Sequence, residues 1–330
     1  MAAAGFWQGR RVLVTGGTGF LGTWLVKALL GRGAAVTVFA WHRDPELVFF
    51  QERLNERTAF VPGDITDQAL IERILNEKGI ETVFHLAAQT IVGTANRGPL
   101  STFETNVRGT WSLLEACRRL PGVGRIIVAS TDKAYGEHRR LPYREDTPLQ
   151  GAYPYDVSKS CADLIARSYF ATYRLPVCVT RMGNLYGGGD LNGSRIVPGT
   201  IRSVLSGERP VIRSDGRYLR DYVYIEDAVL AYLRLAQFAD RPGVAGEAFN
   251  FSAGKPVSVL ALVRMILGLM GRRDLKPRVL GEASHEILRQ HLDAGKARQR
   301  LGWKPTLSLA QGLRRTIAWY ADDLARPGRP

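Results

Sequence analysis

Short runs of consecutive apolar residues alternate along this chain with longer stretches in which apolar positions recur every three to four residues. Runs at 11–14, 35–39, around 60–62, 83–86, 125–129 and 177–181 are brief and mostly apolar. They read as strands buried on both faces. The stretches between them, at 20–30, 102–119 and 155–173, show helical periodicity with polar opposite faces. Strands and helices alternating in this way predict an α/β fold built on a doubly wound parallel sheet. After position 181 the rhythm breaks. The glycine-rich 183–190 must be irregular, and helices are predicted over 194–205, from about 220, and over 257–270, 296–301 and 309–324. A strand at 249–251 and an extended piece at 289–293 complete the pattern. The division this predicts is a dinucleotide-binding domain over 1–184, with segments near 222–252 returning to it. A smaller, mixed, mainly substrate-binding region then spans 185–330.

Bulk properties narrow the class. A chain of 330 residues with 45% hydrophobic and 23% charged positions reads as an ordinary globular protein. Three cysteines without close pairing read as core thiols in a reducing compartment. The histidines show no ligand spacing, so no metal site is expected. The N-terminus carries no signal-peptide pattern and no apolar run approaches membrane-spanning length, which predicts a cytoplasmic protein with no membrane partner. The net charge of +14 raises nucleic acid as a partner, but the basic residues are scattered with no aromatic-interleaved stripe. Attraction of a doubly charged phosphate ester into a cleft is the other reading of the sign, and plain solubility is the alternative for much of the excess.

Candidate chemistry sits at strand ends. Directly after the first strand, Gly16, Gly19 and Gly22 give a G-x-x-G-x-x-G spacing opening a helix. A tight turn, close backbone approach and a helix N-terminus suit a pyrophosphate, hence a dinucleotide. The second strand ends in Ala40-Trp41-His42-Arg43-Asp44, with no acid at the usual place. Arg43 is the candidate for a ribose 2′-phosphate, or Asp44 for the ribose itself, so both NAD and NADP stay open. Asp64, just past the third strand, suits an adenine amino group. His85, inside an apolar strand, reads as a satisfied core histidine, and Asn106 as a brace for the strand end bearing Thr131. At the end of the 125–129 strand stand Ser130, Thr131, Asp132 and Lys133. Tyr155 and Lys159 then share one helix face, where the ammonium would lower the phenol pKa and make it a usable base.

These motifs resemble those of the extended short-chain dehydrogenase/reductases, and within them the nucleotide-sugar 4,6-dehydratases. The carriers are the 16/19/22 glycines, Asp64, His85 to Ala88, Asn106, Ser130 to Gly136, Tyr155 with Lys159, 181–187, 220–227 and 301–305. Asp132-Lys133, the opening at 6–11 and Thr23-Trp24-Leu25 resemble CDP-glucose 4,6-dehydratases, whereas 220–227 resembles dTDP-glucose dehydratases and epimerases. The resemblance implies a Rossmann domain and an NAD(P)-dependent lyase. Such an enzyme converts an NDP-hexose to its 4-keto-6-deoxy form by internal hydride transfer, the alternative being an NDP-sugar 4-epimerase. It implies Thr131, Asp132, Lys133, Tyr155 and Lys159 as catalytic residues. For the cofactor, NAD with NADP as the alternative, it implies Gly16, Gly19, Phe20, Leu21, Gly22, Arg43, Asp64, Ile65, Leu86, Ala87, Ala88, Asn106, Tyr155 and Lys159. For the substrate it implies Gln89, Asn184, Arg195, Arg220 and Arg289. The helices at 102–119 and 155–173 offer apolar faces for a homodimer.

Overall fold

The computed structural model describes residues 5–282 and 286–325. Seven strands form one sheet: β1 (Arg11–Thr15), β2 (Ala35–Ala40), β3 (Ala59–Pro62), β4 (Thr82–His85), β5 (Arg125–Ala129), β6 (Val177–Met182) and β7 (Ala248–Phe251). Their order is β7-β6-β5-β4-β1-β2-β3, and every neighbouring pair is parallel. The order reverses at β1, so the carboxyl ends of β1 and β4 part and leave a crevice between them, where open parallel sheets bind ligands.

The uniform apolarity of the strands follows from burial on both faces. Val12, Val14, Phe84, Ile127 and Phe249 enter one core, while their alternates Leu13, Val83, Ile126, Val128 and Ala248 enter the other. The principal helices are α1 (Phe20–Leu30), α2 (Gln68–Glu77), α3 (Gly109–Arg119), α4 (Pro154–Tyr173), α5 (Ile196–Leu205), α6 (Ile225–Phe238), α7 (Val259–Leu269) and α8 (Leu309–Leu324). Helix α1 packs on α6, whereas α3 packs between α2 and α4. Thus α6 and β7 return to the sheet after the chain has left it. A third core, including Tyr186, Ile201, Tyr222, Leu262, Leu313 and Tyr320, holds the C-terminal region together. Among the described residues no helix is long and apolar enough to cross a membrane.

Three segments differ from the sequence expectation. The helix expected over 102–119 is broken into Pro99–Phe103, a wide π turn over Glu104–Arg108, and α3. The extra residue in that turn swings Asn106 inward, where it is 1% exposed. The helix expected from 220 starts only at Ile225, because Tyr222–Tyr224 pairs in parallel with Asn184–Tyr186. The helix expected from 257 starts at Val259, since Val257–Ser258 pairs with Leu219–Arg220 and the Ser258 hydroxyl caps the Ala261 N–H.

Candidate active site

A cleft of about 1570 Å³ opens along the carboxyl edge of the sheet. Its floor is the turn from β1 into α1. Gly16 has φ of +68°, and a Cβ there would lie 2.8 Å from the Ala87 nitrogen; a Cβ on Gly22 would collide with the Gly16 carbonyl. The residue before α1 is Gly19, which brings no side-chain cap, so the first N–H groups of the helix remain free to meet an anion. This cradle, which side chains would fill, fits a dinucleotide pyrophosphate. Gly16, Gly19, Phe20, Leu21 and Gly22 all line the cleft, as do Asp64, Ile65, Leu86, Ala87 and Ala88. Asp64 Oδ1 accepts from the Thr66 N–H at 2.8 Å and the Thr66 hydroxyl at 2.9 Å, so its other oxygen remains to accept from an amino group.

Arg43 and Asp44 stand elsewhere. Neither lines the cleft: the Arg43 guanidinium lies 5.5 Å from the Phe50 ring centre, and Asp44 Oδ1 accepts from the Glu46 N–H at 3.0 Å. Trp41 takes the rim in their place, 77% exposed. Asn106 is also off the cleft and does not reach the strand end bearing Thr131. Its amide instead accepts from the Gln89 N–H at 2.8 Å and donates to the Gln89 carbonyl at 3.0 Å and the Ser158 hydroxyl at 2.9 Å. It therefore braces the loop after β4 against α4. His85 is satisfied on both ring nitrogens by the Thr15 and Thr110 hydroxyls, and burial followed by the Lys159 charge draws its pKa down to about 3.

Beyond β5 the chain makes one tight turn, Asp132–Tyr135, capped by the Thr131 hydroxyl, which accepts from the Lys133 N–H. Thr131 and Lys133 line the cleft, whereas Asp132 is 2% exposed just behind its wall. The Thr131 hydroxyl donates to Asp132 Oδ1 at 3.0 Å. Burial pushes the Asp132 carboxyl above its usual range, with Lys133, the Thr131 bond and Arg220 pulling the other way. Lys133 and Asp132 make no ion pair; the Lys133 ammonium instead donates to Gln290 Oε1 at 3.5 Å.

Tyr155 and Lys159 enter from the first two turns of α4, which Pro154 opens. Both line the cleft. The phenol differs from expectation: burial, then the Asp132 charge, pushes its pKa up, with Arg195 opposing. The Lys159 ammonium donates to the Ala129 carbonyl at 3.0 Å, and burial draws it down to about 8 against the pull of Asp163. Desolvation, which spacing on a helix face does not report, leads the shift of both groups here.

Of the substrate candidates, Gln89, Asn184, Arg195 and Arg220 line the cleft. The Gln89 amide is engaged locally with Ile91 and Thr102. Arg195 pairs with Asp190 at 3.0 Å and Arg220 with Glu286 at 3.1 Å. Arg289 is exposed and outside the cleft lining, because its extended backbone bridges Leu219 and alternation turns the next side chain, Gln290, fully inward. Sequence reasoning missed Glu286, Gln290 and Tyr222. Tyr222 is 5% exposed and lines the cleft, and its hydroxyl, like that of Ser130, has no partner among the described residues. Both oxygens are buried, and an unpartnered buried hydroxyl beside a cleft calls for an explanation that packing alone does not give. A separate cavity of about 480 Å³ near Arg144, Arg167 and Lys296 holds none of these groups.

Comparison with known proteins agrees with this geometry. The CDP-glucose 4,6-dehydratase of Salmonella typhimurium is 32% identical over 96% of this chain and 91% of its own length. The dTDP-glucose 4,6-dehydratase of Streptomyces venezuelae, solved with NAD bound, superposes with a TM-score of 0.86 at 32% identity, covering 95% of this chain and 97% of that one. The UDP-glucose 4-epimerase of Thermotoga maritima, solved with UDP-glucose, superposes equally well, with a TM-score of 0.86 at 32% identity over 95% of this chain and 99% of its own. Residues 12–251, from the first buried strand through the strand that returns to the sheet edge, match a single family description, and the chain belongs to the NAD dependent epimerase/dehydratase family.

Proposed function

We propose that this protein is a nucleotide-sugar 4,6-dehydratase, acting on an NDP-hexose of which CDP-glucose is the first candidate, with NAD as cofactor. Overall likeness does not separate a dehydratase from a 4-epimerase, since one of each superposes equally well. The observation that carries the reading is the Asp132 carboxyl: buried, hydrogen-bonded to Thr131, and biased toward its protonated form. Elimination of water needs a proton donor at the departing hydroxyl, whereas epimerisation at C4 has no step for it.

A dinucleotide held with its pyrophosphate against Gly16, Gly19 and Gly22 would supply the hydride acceptor. Tyr155 takes the proton of the sugar 4-hydroxyl, and Thr131 hydrogen-bonds the same oxygen. The phenol needs a positive charge beside it for this task, given what burial does to its pKa. The 4-ketone acidifies the C5 proton. Lys133 is the base that removes it, while Asp132 protonates the 6-hydroxyl that leaves as water. The hydride taken from C4 would return to C6 and the proton taken by Lys133 to C5, which completes the 4-keto-6-deoxy sugar with no net change in the cofactor. Lys159 orients the nicotinamide ribose and Asp64 the adenine, while Asn184, Arg195 and Arg220 hold the diphosphate.

The reading includes a cytoplasmic homodimer. Supporting it, α3 and α4 expose the large apolar side chains Trp111 and Leu164. All three cysteines are free, as a reducing compartment requires. Incubation with CDP-, dTDP-, UDP- and GDP-hexoses, followed by mass analysis, tests the function. Loss of one water from one donor supports the dehydratase, and an isobaric product supports the 4-epimerase.

A further inference from the structure

The rim of the cleft at the end of β2 departs from a simple ribose-recognition site. Ala40 offers no polar side-chain atom. The Asp44 carboxylate is turned into its own loop, onto the Glu46 N–H, and the Arg43 guanidinium is turned onto Phe50. Neither sign of charge therefore faces a ribose 2′ position from this strand end. What faces the cleft is Trp41. Its side chain is 77% exposed, the most exposed of the large hydrophobic residues, and it is steadied by an edge-to-face contact with His42 at 5.5 Å between ring centres. An indole left in water at a cleft rim is apolar surface whose burial is favourable, and a flat aromatic ligand buries it best. The same cleft is lined by Asp64, with one carboxylate oxygen left free by Thr66, and by Ile65.

We propose that Trp41 is the residue that holds the adenosine end of the cofactor, by stacking. Because stacking replaces ribose recognition there, the site takes NAD and NADP with little discrimination. The inference rests on the dinucleotide reading of the cleft but on no step of the dehydration. Stacking on an aromatic side chain is indifferent to the 2′ substituent and is worth enough per base to be read in a binding constant.

Calorimetric titration of nucleotide-free protein with NAD, NADP and ADP-ribose tests it. The wild-type dissociation constants for NAD and NADP should agree within about tenfold. Trp41→Ala should weaken all three ligands together by about five- to tenfold, the lower end of base–aromatic stacking. Trp41→Phe, which keeps a ring, should recover most of that loss. Trp41→Asp should lose NADP by a larger factor than NAD, since a carboxylate repels the 2′-phosphate. An ADP-ribose affinity unchanged in Trp41→Ala overturns the inference while leaving the cofactor reading intact, and so does a wild-type preference above a hundredfold. Failure of every dinucleotide to bind the wild-type protein overturns both.

Discussion

Asp163→Asn isolates the joint that fixes the catalytic helix to the sheet. Arg181 on β6 and Asp163 on α4 are both fully buried, and the guanidinium donates through Nε to Oδ2 and through Nη2 to Oδ1, each at 2.8 Å. Its remaining nitrogen donates to the Tyr135 hydroxyl at 2.8 Å and the Glu145 carbonyl at 3.1 Å. One cation thus ties together the sheet, the helix bearing Tyr155 and Lys159, and the turn bearing Asp132 and Lys133. Replacing one carboxylate oxygen by an amide N–H sets donor against donor and leaves a buried charge uncompensated, which costs about 3–5 kcal/mol. For 330 residues the unfolding entropy is about 0.7 kcal/mol/K, so the melting temperature should fall by about 4–7 °C. Thermal melts followed by circular dichroism, at one scan rate and with bound nucleotide removed, read this directly. The double variant Asp163→Leu/Arg181→Met should be less destabilised than Asp163→Asn, because it buries no lone charge. The Tyr135 hydroxyl still has its donation to Asn250 at 2.7 Å in that background. A fall below about 1 °C for Asp163→Asn, or a double variant worse than the single one, would refute the reasoning.

Other parts of the site are open to equally direct tests. Gly22→Ala must displace the Gly16 carbonyl, so calorimetry should show NAD affinity lowered by at least about tenfold; wild-type affinity would mean the pyrophosphate lies elsewhere. Asp132→Asn should keep oxidation at C4, seen as reduced-nicotinamide absorbance, while formation of deoxy product slows by roughly 10²–10⁴. Product formed at the wild-type rate would remove Asp132 from the mechanism. Lys159→Met should abolish turnover yet raise the melting temperature at pH 7. The sign follows from its folded pKa of about 8, drawn by burial below the ordinary lysine value of 10.5. Between those values the unfolded chain holds the proton that the folded chain has released, so the burial penalty is full below about pH 8 and fades toward pH 10.5. Melts at pH 7 and pH 10 should therefore show the gain shrinking, and a gain that grew with pH would contradict the assignment.

The parallel sheet was legible because its strands are buried on both faces, which leaves an unbroken apolar run such as Val12-Leu13-Val14 as a signal no surface element shares. Helix α8 was equally plain from its period, and the structure adds the Ser308 capping box that opens it. The π turn at Asn106 was not, because its cause lies in bonds to Gln89 and Ser158, 17 and 52 positions away. Arg43 and Arg289 had the right charge near the right strands. A loop contact with Phe50 and a bridge to Leu219 turned each away, and neither orientation is encoded in residue type. Gln290 became visible only once that bridge set the register. The pKa of Tyr155 shows the same limit from another side: spacing reveals its neighbours, while desolvation depends on everything packed around it.

The central claim, that one sugar is oxidised at C4 and reduced at C6 within a single site, is tested most directly with a nucleotide hexose carrying deuterium at C4. The account predicts a product lighter by one water, with the deuterium found at C6 of the same molecule. Deuterium retained at C4 of an isobaric product, or lost to solvent during turnover, would contradict it.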